Sequence, residues 1–148
     1  MSELHSALDA LAADDLHLLA DGQVLDRTAM LVQLGNRVAA ELTRTVRHAD
    51  TSQAAERDGL KSMRSWLIGH VRLSPADASR IVRSGRALEH FPVLAAEFAE
   101  GAVTAAQVNV VAEKVARPRS PALRSRTSTS VPSTGTGRRS RRPPRTTC

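Results

Sequence analysis

Between Val24 and Val46 the apolar residues keep one register for about six helical turns, the longest regular pattern in the chain. Val24, Thr28, Leu31, Gly35, Val38 and Leu42 advance by alternating steps of four and three, while Leu25, Val32, Ala39 and Val46 recur every seven. A half-buried strand would alternate every second residue; this spacing instead gathers apolar side chains into one broad face of a helix. A stripe of that width predicts a helix that faces a core. The run is shorter than the several heptads that mark an isolated coiled coil. Aromatic residues make up only 2% of the chain, being Trp66, Phe91 and Phe98, so Leu, Val and Ala must fill any core, which suits helices better than sheets.

The flanking sequence continues in the same mode. Leu4, Leu8, Leu11, Leu16 and Leu19 lie at helical spacings, and Asp14-Asp15 interrupts them, leaving either one kinked helix or two short ones. Asp21-Gly22 reads as a turn, and the polar segment from His48 to Asp58 as a loop with at most a weak helical turn. Two helical patterns then meet across a short break. Leu60, Met63, Trp66, Leu67 and Val71 carry the first; Ala78, Ile81, Val82, Gly85 and Leu88 carry the second. At the restart Ser74 suits the N-cap, Pro75 the first helical position, and Asp77 the first turn, where the helix dipole favours an acid. The shape predicted is a helix-turn-helix with a basic second helix. Pro92 forces a break, Gly101 closes the next short helix, and Thr104 caps a last one through Val108, Val111, Ala112 and Val115. The expectation is an all-α domain of about six helices over residues 2–116.

From Arg117 onward the composition changes. The last 32 residues hold nine Arg, six Ser, six Thr and five Pro, with no acid and almost no apolar residue, a mixture that predicts disorder. The charge divides at the same place. Residues 1–116 carry twelve Lys and Arg against fifteen Asp and Glu, a net −3, while residues 117–148 carry +9. The basic balance therefore belongs to the tail. One cysteine, Cys148, allows no internal disulfide and fits a reducing cytoplasm. No signal peptide or membrane-spanning run is present in the sequence, so a membrane is not an expected partner.

Little in the chain points to catalysis. His5, His17, His48, His70 and His90 are scattered, with none four residues from another or beside a cysteine, so neither a metal nor a cofactor is expected. No serine occupies a nucleophile elbow and no glycine-rich loop opens a helix. The arginines are the better candidates. Arg80, Arg83 and Arg86 recur every three residues and form an exposed ridge on the second helix, with Arg64 and Arg72 nearby; such forks suit phosphate oxygens and guanine edges. The alternative is a solvated face. Trp66 is read as the core anchor of the domain, and Ser74 and Pro75 as a structural helix start.

The residues Asp58-Gly59, Ser62, Trp66-Leu67, Leu73-Ser74-Pro75, Ala78 and Leu88, followed by Pro92, Gly101 and Thr104, resemble the actinobacterial 13E12 repeat family. Its shared region is the domain of unknown function 222, commonly found ahead of an HNH endonuclease domain, and the resemblance spans roughly residues 4–116. It implies a helical, cytoplasmic, non-catalytic region associated with DNA. The nuclease itself would need histidines and further metal ligands, yet no histidine follows His90 and no carboxylate side chain follows Glu113. Two origins for the tail stay open: a frameshift near Arg117 that truncates a longer protein, or an authentic basic segment that binds nucleic acid. Two functions also stay open. One is DNA contact through the arginine ridge. The other is homo-oligomerisation through the helix from Val24 to Val46, with no small-molecule ligand in either case.

Overall fold

A computed structural model describes residues 2–116, and the expected disorder of residues 117–148 lies outside them. Among the described residues there are seven α-helices, one 3-10 turn and no strand. They run α1 (Ser2–Ala13), the 3-10 turn (Leu16–Leu18), α2 (Asp21–Thr51), α3 (Ala54–Arg57), α4 (Met63–Gly69), α5 (Pro75–Leu88), α6 (Pro92–Glu100) and α7 (Ala105–Ala116).

Local chemistry explains most of the boundaries. The interruption at Asp14-Asp15 separates two elements: α1 ends at Ala13, and Asp15 caps the 3-10 turn by accepting from the His17 amide at 3.0 Å. Ser62 accepts the Ser65 amide at 3.2 Å and starts α4, three residues later than the apolar pattern alone would place it. Ser74 caps α5 by accepting the Asp77 amide at 3.0 Å, and its hydroxyl donates to the Asp77 carboxylate at 2.6 Å, with Pro75 opening the helix. Thr104 and Gln107 form a reciprocal capping box at the head of α7, each side chain accepting from the other's amide at 3.2 and 2.8 Å.

Two expectations about α2 need correction. Asp21-Gly22 opens the helix instead of forming a turn, because the Gln23 carboxamide accepts the Ala20 amide at 3.0 Å and secures the chain entry. At the other end the helix runs to Thr51, and α3 follows almost at once, so the segment from His48 to Asp58 is largely helical. Alanines account for the misreading. Ala49 and Ala55 pack into the core through small side chains that leave no apolar periodicity to read.

Two clusters make the core, and both lean on α5. One joins Val46, Ala55, Met63, Leu67, Ala78 and Val82 from α2 to α5. The other joins Ala40, Phe98 and Val108, with Leu88, Leu94 and Val103 packed around them. α2 and α5 cross closely at Gly85, where an added Cβ would lie 3.0 Å from the Arg47 Cβ and 3.3 Å from the Thr43 carbonyl oxygen. α2 meets the end of α6 through Gln33 and Asn36, which donate to the carbonyls of Glu100 and Gly101 at 3.3 and 3.2 Å.

The core-facing expectation holds for only part of α2. Its buried residues are Ala40, Thr43 and Val46, all in its C-terminal half. The N-terminal half carries the same apolar spacing but buries none of its residues.

Candidate functional site

The three arginines expected to form a ridge do fall on successive turns of α5, but each meets an acid of its own chain. Arg80 lies 2.9 Å from Asp77, one turn earlier. Arg83 turns toward α7, with Nη2 3.4 Å from the Asn109 carboxamide oxygen and 3.5 Å from the Glu113 carboxylate. Arg86 reaches across to α2 and grips Asp50 with both arms of its fork, at 3.0 Å each. Asp50 also accepts from Arg47 at 2.9 Å, and Arg47 in turn donates twice to Glu89 at 2.8 Å. Charge-assisted, paired hydrogen bonds of this kind are the stronger sort. Arg86 beside it holds the Asp50 carboxyl below its ordinary range, against the opposing effect of burial, and Arg47 does the same for Glu89. The Asp50 side chain is only 11% exposed.

Sequence spacing located the arginines but not their orientation, and it missed Asp50, Arg47 and Glu89. The one local signal was Arg47 and Asp50 three residues apart. Arg64 donates to the Ser79 hydroxyl at 2.7 Å, which ties α4 to α5. Arg72 stands exposed in the turn with a left-handed backbone, φ 59°. Arg64, Arg83, Arg86 and His90 share a groove of about 580 Å³, with Ser62 and Ser79 in its wall and Asp50 among its lining; Arg72 and Arg80 are not part of it. The Arg83 Nε is buried and has no hydrogen-bond partner among the described residues.

Trp66 is not the core anchor. Leu67 and Phe98 are among the largest fully buried side chains, while Trp66 packs partly buried at the edge. Its indole N–H explains the position, because it needs an acceptor and finds one in the Asp58 carboxylate at 2.8 Å. The indole stacks on the His70 ring at 5.2 Å.

A second surface is apolar. Leu25 is 70% exposed and Val32 55%, two turns apart on one face, and α1 buries no residue although Leu4, Leu8 and Leu11 share one of its faces. An exposed apolar stripe on a long helix is the usual mark of an association surface. The 31 residues of α2 span about 46 Å, and only the later part is packed.

A family model described as a domain of unknown function (DUF222) matches residues 25–137. The chain belongs to that family. The DUF222 match begins at Leu25, inside α2, and takes in α3 to α7, so α1 lies ahead of it and part of the Arg-rich tail within it. No curated protein and no solved structure matches the chain. None of the described helices is long and apolar enough to cross a membrane, and no group of three or more potential metal ligands converges among the described residues.

Proposed function

We propose that this chain is a non-catalytic helical assembly domain that pairs with a second copy along the exposed stripe of α2. Its setting would be the cytoplasmic, HNH-nuclease-associated one that the resemblance to 13E12 repeat proteins implies. The observation that carries the reading is the contrast between the two candidate surfaces. The arginines of α5 are largely committed to acids of their own chain, whereas Leu25 and Val32 face solvent on one side of a helix whose later turns enter the core. Covering a side chain of this size is worth about 1.5–3 kcal/mol, and a two-fold pairing covers each one twice.

Sedimentation of the full chain over a range of concentrations tests this. The expected result is a dimer that dissociates on dilution, and the double change Leu25→Glu and Val32→Glu should leave a helical monomer. A wild-type chain that stays monomeric throughout overturns the reading.

A second reading is DNA contact in the Arg64–Arg83–Arg86 groove. It is supported by the convergence of Arg64, Arg83, Arg86 and His90 on one groove.

A further inference from the structure

Between α2, α5 and α6 lies an apolar groove of about 610 Å³, floored by Ala40, Leu88 and Phe98 and walled by Leu34, Val38 and Ala95. Its charged lining is matched except at one place. Glu41 is held by Arg44, and Glu89 by Arg47, whereas Arg37 joins no ion pair among the described residues. A groove of this kind suits a short amphipathic helix with an apolar face and a negative net charge.

α1 has those properties. Leu4, Leu8 and Leu11 recur at steps of four and three on one face, and none of them is buried. The helix carries Glu3 and Asp9, neither in an ion pair among the described residues, and no Lys or Arg. Its twelve residues span about 18 Å, so the three leucines cover about 10 Å of groove. Residues 117–148 suit the same groove poorly, with nine Arg, no acid and almost no apolar side chain. The C-terminal end of α1 is tied to its own α2, because Arg27 donates to the Leu11 carbonyl at 2.5 Å and to Asp14 at 2.6 Å. The rest of the helix buries nothing.

We infer that α1 of one copy occupies the α2–α5–α6 groove of a second copy, and reciprocally, an exchange that rests on the pairing proposed above. The two contacts are equivalent under a two-fold axis, so each chain supplies one helix and one groove. Complementary charge, acidic helix against the Arg37 rim, sets the sense of approach.

The test uses full-length chains in a Cys148→Ser background, one carrying Leu8→Cys and the other Ala99→Cys, mixed and oxidised. Ala99 lines the groove from α6. The expected result is a mixed disulfide dimer, together with at least a tenfold weaker dimer when Leu4 and Leu8 are both changed to Ser. Absence of the mixed dimer, while a Leu25→Cys chain still cross-links to itself, overturns the exchange and leaves the α2 pairing standing. A monomeric internal disulfide in one chain carrying both cysteines also overturns the exchange, since α1 then closes on its own groove.

Discussion

Asp50 is the residue on which the packing of α2 against α5 most depends for charge. It accepts two hydrogen bonds from Arg86 and one from Arg47 while its side chain is mostly covered. Because its folded pKa lies below the ordinary 3.8, the unfolded chain takes up the proton first as pH falls. The stability it contributes is therefore full above about pH 4 and is lost as pH drops through the depressed value. Glu89 and Glu41, also lowered by their arginines, act in the same direction. Asp50→Asn should cost about 2 kcal/mol at neutral pH, since Arg86 and Arg47 keep their charges without the carboxylate. The gap between variant and wild type should shrink below pH 4, and urea titrations at the two pH values measure both quantities. Little of this was legible from sequence. Arg86 and Asp50 are 36 residues apart, and a pairing at that distance depends on how two helices cross.

At the scale of the element, legibility follows the locality of the signal. The start of α5 was readable because Ser74, Pro75 and Asp77 complete the cap within four residues. The end of α6 was readable for a similar reason: Gly101 adopts φ 81°, a left-handed conformation that costs side chains about 1–2 kcal/mol. The structure adds a second constraint there. A Cβ on Gly101 would lie 2.6 Å from the Gln33 carbonyl oxygen of α2, so the residue is both helix stop and contact point. Gly101→Ala should therefore destabilise by more than the backbone term alone, about 2–4 kcal/mol, as a lowered midpoint in thermal unfolding. The extent of α2 was harder to read. Its apolar spacing is uniform, and nothing local distinguishes the half that meets α5 from the half that meets solvent.

For the whole molecule, charge separates the two functional readings. Residues 1–116 carry −3, so DNA contact by the body depends on a local groove and not on an overall field. With Arg64→Ala and Arg83→Ala in the full chain, the slope of log affinity for duplex DNA against log salt should flatten by about 2 if both arginines meet phosphates. An unchanged slope in fluorescence anisotropy removes the groove from the DNA reading. The long α2 has a further consequence. Before Gln33, its first residue bonded to α6, twelve residues project about 18 Å, and a free peptide of that length would be a marginal helix in water. Here the costly first turn is already formed in the packed half, so the projecting part needs only propagation, one hydrogen bond for each residue added. The projection is thus a helix seeded from one end, and any turn lost at Asp21 regrows without a new nucleus.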